Sequence, residues 1–402
     1  MRKGLQQALV ALLLLLLAGS CRHEPSLPRS ELGVSDAAAD VAPRDDAKTP
    51  TLDGGVDGTR QPCPSSENWT DILGDLIAYE GDVYRVLLKR DSSQVQFHQI
   101  VGDSFIEVML AQLPGSPPVL LSQLAAEYDG TNLHLLRGRN GSSSAMVDHF
   151  KGDSVGWKPI TIETSGPVNY THIDALALAQ HGGLVYGSVY ATTTSKSIRM
   201  RYRSDHVCST VDAPRTDTTR VSLAVSAEQI VESWTDGFGA HAHAFANSGP
   251  TSYCGQPRQT VEYKSAPQHS EQPLAVLSVG TAILGMGEDV DVSVDLLPSN
   301  GSAVQRNAAI AGTKPYLRSL AAMAADPAQQ KVFLALLITP NAAIYSGSGD
   351  GNMTRGKSVQ LPNEFNVTPE LAYSRIAVDD ARVHLLSFDG SKLYYQCFAR
   401  DP

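Results

Sequence analysis

The sequence is short of charge, of aromatic rings and of helical pattern. Only 18 % of its 402 residues are charged and 6 % are aromatic. Long runs of Ala, Glu, Lys and Leu at helical spacing are scarce, while Ser, Thr, Gly and Pro are plentiful. That balance excludes a helical bundle and leans toward β structure. A formal net charge of −10 argues against nucleic acid as a partner, because phosphate binding needs a basic face. The five cysteines include no C-x-x-C pair, so zinc ligation is not expected. No H-E-x-x-H motif and no complete G-x-G-x-x-G are present. No catalytic residue, no metal ligand and no cofactor is assigned.

One long apolar run is present, Ala8 to Leu17, behind the basic start MRKG. A helix that crosses a bilayer needs roughly 20 apolar residues, so this run is expected to be the core of a signal peptide, residues 1–20. It ends in Ala18, Gly19, Ser20 and Cys21. That ending resembles a bacterial lipobox, which implies that Cys21 becomes a lipid-carrying N-terminus. Arg22 follows in place of an aspartate, which favours the outer membrane. The alternative is ordinary secretion with cleavage after a small residue. Residues 21–62 contain no aromatic side chain and are dominated by Pro, Asp, Ala and Gly. They bury too little to offset ordering entropy and are expected to form a tether.

The remainder, 63–402, repeats. Short apolar strands built around an alanine recur at Ala78, Ala126, Ala177, Ala224, Ala275, Ala322 and Ala377. Successive spacings are 48, 51, 47, 51, 47 and 55 residues. Each is followed by a polar turn such as Y-D-G-T-N or Q-H-G-G, then by a longer strand rich in Val, Leu and Tyr. Alanine suits a place where neighbouring strands crowd together. The pattern resembles the blades of YVTN, NHL and WD40-type β-propellers. The resemblance implies an all-β propeller of seven blades, with six or eight as alternatives. A single closed ring is expected to act as a monomer.

The resemblance also orders the cysteines. With Cys21 lipidated, Cys63, Cys208, Cys254 and Cys397 remain, and four cysteines allow three pairings. The seventh unit shows three strands and then ends. A propeller closes when an N-terminal strand completes its last blade, which implies a bond between Cys63 and Cys397. Cys208 and Cys254 lie at similar distances behind their anchors in adjacent units, which implies the second bond.

Candidate binding residues are those that lead into the inner strands: Tyr170, His172, Arg220, Tyr316, Arg318, Tyr373 and Arg375. Three arginines around one opening could hold an anion, or could brace adjacent blades. The pair His241 and His243 shares one strand face, and His134 and His384 occupy matching places in two units. Glu288 to Asp295 alternates carboxylates with valine, as a solvated strand face does. The channel-entry positions are mostly Arg and Tyr, with no repeated acidic pair. The expectation is therefore a non-catalytic, lipid-anchored envelope protein that binds a protein, glycan or small ligand. The alternatives are a propeller enzyme, such as a glycoside hydrolase or lyase, and a structural member of an envelope assembly complex.

Overall fold

The computed structural model describes residues 63–400, apart from 65, 115–120, 142–143, 154, 161, 163–169, 195–196, 209–210, 213–219, 237–238, 264–272, 287–291, 309, 311–319, 339–340, 349–351 and 362–371. The expected signal segment, Cys21 and the whole of the tether lie outside the described residues. So do Tyr316 and Arg318. No helix among the described residues is long and apolar enough to cross a membrane.

Almost every ordered element is a strand. A short strand, β1 (Glu67–Thr70), precedes the first unit. That unit is β2 (Ile72–Tyr79), β3 (Asp82–Lys89), β4 (Gln94–Val101) and β5 (Ser104–Gln112). The second is β6 (Leu121–Tyr128), β7 (Leu133–Asn140), β8 (Ala145–Gly152) and β9 (Trp157–Ile160). The third is β10 (Tyr170–His181), β11 (Leu184–Thr193), β12 (Ser197–Arg203) and the short β13 (His206–Val207) and β14 (Val211–Asp212). The fourth is β15 (Arg220–Val225), β16 (Gln229–Asp236), β17 (Gly239–Ala246) and β18 (Gln259–Tyr263), with a 3-10 turn at Ser252–Cys254. The fifth is β19 (Leu274–Leu277), β20 (Gly280–Met286) and β21 (Val292–Pro298). The sixth is β22 (Leu320–Asp326), β23 (Lys331–Ile338), β24 (Asn341–Ser348) and β25 (Met353–Gln360). The seventh is β26 (Tyr373–Val378), β27 (Arg382–Phe388) and β28 (Lys392–Ala399).

Each unit is an antiparallel meander. The tight turns follow from residue chemistry. Gly182 and Gly183 both take positive φ, 60° and 74°, and close the two-residue turn between β10 and β11. That is the turn whose twist matches paired strands. Counted by hydrogen-bonded sheets there are six, because the single pair Tyr170–Ala145 joins the second and third units. Counted by innermost strands there are seven.

Those innermost strands, β2, β6, β10, β15, β19, β22 and β26, pack each against the next, and β26 packs back against β2. All seven anchoring alanines lie on them. Apolar clusters fill the seams between adjacent units around the ring. The fold is an all-β propeller. The last unit is completed by β1, which pairs with β28 in the register Glu67–Tyr395, Asn68–Tyr394, Trp69–Leu393 and Thr70–Lys392. Beside that seam Cys63 bonds Cys397, with Cα atoms 5.6 Å apart. Cys208 bonds Cys254 between the third and fourth units, with Cα atoms 5.2 Å apart. Two disulfides between distant parts of the chain belong to an oxidising, extracytoplasmic compartment.

Of the solvated face expected at Glu288 to Asp295, residues 288–291 lie outside the described residues, and Asp295 is corrected. Asp295 is 1 % exposed and points inward. It accepts hydrogen bonds from the Tyr263 hydroxyl at 2.8 Å and the Asn307 amide at 3.0 Å, and pairs with Arg306 at 2.8 Å. Alternation separated two faces here, but both faces of an inter-blade sheet are covered.

Candidate functional site

The inner strands surround a channel with two different ends. At the end where these strands begin, Tyr373, Arg375 and Asp75 interlock. The Tyr373 hydroxyl accepts from the Gly74 amide at 2.9 Å and donates to the Gly74 carbonyl at 3.0 Å. Burial raises the Tyr373 phenol, so it stays neutral. Arg375 Nε donates to Asp75 Oδ1 at 3.0 Å, and its guanidinium lies 5.1 Å from the Tyr373 ring centroid. Asp75 also accepts from the amides of Leu76 and Ala126, both at 2.9 Å. One carboxylate thus ties the seventh, first and second units together. Arg220 donates to the carbonyl of Ala372 at 2.8 Å, linking the fourth unit to the seventh.

The other expected positions separate. Tyr170 is 2 % exposed, and its hydroxyl meets Met200 Sδ at 3.1 Å inside the third unit. The His172 side chain is 58 % exposed and lies beside Asn140 at 3.3 Å. Arg220, Tyr373 and Arg375 form one group; Tyr170 and His172 are not held in it by any of these bonds.

At the opposite end, where the inner strands run into their turns, the channel widens. The narrow part holds about 190 Å³, between Leu76, Ala125, Leu176, Val221, Leu274 and Met323. The wide mouth holds about 550 Å³ and is walled by Ala78, Ala179, Ala224, Ala275 and Ala324. Its ionisable lining includes Glu80, Glu127, Asp326, Asp379 and Asp380, and no lysine or arginine. Asp326 is held by Arg400 at 2.5 Å, and Asp379 by Arg382 at 2.6 Å and His384 at 3.1 Å. Glu127 lines both spaces and so marks the neck between them. Burial among the strands pushes its carboxyl up to about 8, and the nearby Asp75 adds to the rise. Glu127 is therefore largely protonated at neutral pH.

Sequence reasoning missed Glu127, although a signal was there. It follows the anchoring alanine of its unit, where the other units carry Tyr79, Leu178, Val225, Val276, Met323 and Val378. An ionisable residue in a repeat position that is otherwise apolar or aromatic is the cue.

The remaining polar clusters brace seams. His134 and His384 sit in matching relays. Asp129 Oδ2 lies 3.0 Å from His134 Nε2, His134 Nδ1 3.2 Å from His149 Nε2, and His149 Nδ1 3.0 Å from the Tyr202 hydroxyl. In the seventh unit Asp379 holds His384, whose Nδ1 lies 2.8 Å from the Tyr395 hydroxyl. Burial lowers both histidines below their ordinary value and leaves them neutral. His241 and His243 flank Trp234, with ring centroids at 5.2 and 4.7 Å. No group of three metal-ligating side chains occurs among the described residues.

Two motif spellings are excluded by their context. G-D-S-V-G at 152–156 matches the nucleophile-elbow spelling, but it links the antiparallel strands β8 and β9. That motif needs a strand-to-helix turn. G-N-M-T-R-G-K-S at 351–358 matches the phosphate-loop spelling, but residues 353–358 lie in strand β25, paired with β24. A phosphate loop needs free backbone amides before a helix.

No protein-family model matches the chain, and no curated protein matches it in sequence. Solved structures match in fold. A chain of the mitotic checkpoint complex aligns with a TM-score of 0.51 and 11 % identity, over 89 % of this chain and 100 % of that one. A polysaccharide lyase aligns at 0.47 and 8 % identity, over 87 % of this chain and 94 % of that one. A periplasmic gluconolactonase of Pseudomonas aeruginosa aligns at 0.44 and 12 % identity, over 72 % and 85 %. The expectation that the chain is not an enzyme is corrected. Two of these neighbours are named as enzymes, and a propeller fold by itself does not separate binders from catalysts. That expectation considered only the channel-entry positions, and carboxyl groups line the channel beyond them. At these identities the likeness concerns the fold, which is that of a β-propeller.

Proposed function

We propose that the chain is a lipid-anchored protein of the cell envelope, held at the outer membrane through Cys21, that binds a ligand in the wide mouth of its propeller. The observation that carries this reading is the 550 Å³ mouth with Glu127 at its neck. Rigid walls of alanine leave room there, and one half-buried carboxyl supplies a directional group. The opposite end is occupied by its own Tyr373, Arg375 and Asp75 contacts. Ala78, exposed on the wall of the mouth, provides the test. Ala78→Trp should abolish binding to whichever probe of a protein, glycan and small-molecule panel the wild type retains. Unaltered binding would remove the mouth as the site. Cys21→Ser should release the protein from the membrane fraction, and unchanged fractionation would remove the anchor.

A second reading draws on Glu127 itself. A carboxyl that stays protonated near neutrality can donate a proton to a leaving group, and Asp75, paired with Arg375, lies near it. This is the division of roles found in acid-catalysed glycoside cleavage or in lyases. Turnover of a polysaccharide by the wild type and its loss in Glu127→Gln would support it. A wild type without turnover on the panel would remove it.

A further inference from the structure

We propose that the wide mouth is a site for a primary ammonium group on an aliphatic stem, with the Glu127 carboxylate as its counter-ion. This rests on the mouth being the binding site. Three observations converge. The mouth is lined by five carboxyl-bearing residues and by no lysine or arginine. Two of these carboxylates, Asp326 and Asp379, are neutralised from outside by Arg400 and Arg382. Glu127 has no cationic partner among the described residues, and it faces both cavities at the point where they meet. A half-buried carboxyl in that position is stabilised either by keeping its proton or by a cation that enters the mouth.

The walls select the ligand further. Alanines from five strands and Leu223, Val225 and Leu274 give an apolar sleeve that fits a methylene chain better than a sugar ring's hydroxyls. Glu80 and Asp380 at the rim add a negative field that steers a cation inward. A compact ammonium meets one carboxylate well, whereas a guanidinium is best served by a bidentate partner held in plane.

Binding should displace the Glu127 proton. The titratable groups on the strands packed against β6 are Asp75, Tyr79 and the adjoining Glu80 from the first unit, His134, Arg137 and Arg139 on β7, and Tyr170, His172, Asp174 and His181 on β10. His134 is neutral, and Arg137 is paired with Asp148 at 3.0 Å. Asp75 is tied to Arg375, so Glu127 is the group placed to release a proton on contact with a cation.

The test is calorimetric titration of the full chain with cadaverine and with a lysine-rich peptide, in two buffers of different ionisation enthalpy. About one proton should leave per ligand bound near neutral pH, and affinity should rise roughly tenfold per pH unit until Glu127 is ionised. Glu127→Gln should remove the proton release and weaken binding by about tenfold or more. Binding of cadaverine alone assigns the site to free amines; binding of the peptide alone assigns it to lysine side chains. Retention of amine binding without proton release in Glu127→Gln would overturn the proposal. So would a mouth that binds neutral oligosaccharides, blocked by Ala78→Trp, and ignores both amines; the mouth would then stand and its ammonium site fall. Unchanged binding of every probe in Ala78→Trp would instead remove the mouth. Glu127→Gln keeps the neutral shape already present, so thermal melting near pH 4.5, where the wild-type carboxyl is protonated in the folded chain, should match the wild type.

Discussion

Glu127 is a local conflict in a repeat that is otherwise consistent. Its carboxyl is held at about 8, above the ordinary 4.5. The sign of its effect on stability follows directly. The native state keeps a proton that the unfolded chain loses above its ordinary value, so stability is full below about pH 4.5 and falls as pH rises toward 8. Wild type should lose on the order of 2–4 kcal/mol between about pH 5 and pH 9 from this residue. Glu127→Gln should flatten that decline in urea denaturation midpoints. Equal slopes for the two proteins would show that the carboxyl is already solvated. At this scale the sequence was legible only in part. Of the residues expected together, Tyr170 and His172 make other contacts, while Arg220, Tyr373 and Arg375 lie near one end of the inner strands. The sequence left open whether they bind or brace, because that depends on Asp75 and on the backbone of Gly74. Glu127 was passed over because search patterns look for recurring acids, and here the informative acid occurs once.

Strand β12 shows why element-level patterns mislead in a propeller. In SIRMRYR the residues Ile198, Met200 and Tyr202 share one face, and alternation would send the arginines to solvent. In the structure Arg199 and Arg201 are each 5 % exposed, because the second face meets the fourth unit. There Glu232, fully buried, takes Arg201 Nε at 2.8 Å and Nη2 at 2.5 Å, with Arg199 at 3.5 Å and the Ser188 hydroxyl on its other oxygen. Burial alone would raise the Glu232 carboxyl, but the two arginines outweigh it and hold it below its ordinary value. Arg199 also lies 5.0 Å from the Trp234 ring centroid. One carboxylate thus serves two buried cations. Glu232→Gln keeps the shape but strands both, and should cost about 3–5 kcal/mol. A combined Arg199→Leu, Arg201→Met, Glu232→Leu variant should recover much of that loss. A Gln variant within about 1 kcal/mol of wild type would mean that water reaches the cluster.

For the molecule as a whole the repeat spacing carried most of the information. Alanine recurs on the inner strands because a ring of strands leaves little room near its axis, and that steric demand is written into each unit. The order of the strands and the completion of the seventh unit by β1 were therefore legible. The chemistry of the channel was not, because it arises between units about 50 residues apart in sequence. Closure raises a thermodynamic question that the two disulfides can answer. The bond Cys63–Cys397 spans 334 residues, and Cys208–Cys254 spans 46. Loop-closure entropy assigns them about 6 and about 4 kcal/mol. The first bond also guards a weak seam. Apart from it, β1 is held to β28 by a register of only four residue pairs. The shorter bond lies beside the third and fourth units, whose seam also carries the Glu232 cluster. Cys63→Ser with Cys397→Ser should therefore lower the melting temperature more than Cys208→Ser with Cys254→Ser. Amide exchange should quicken first in β1, β28 and β2, where the ring opens, and not in β16 and β17. The reverse order of melting temperatures, or uniform exchange around the ring, would mean that the apolar seam between the seventh and first units closes the propeller without its rivet.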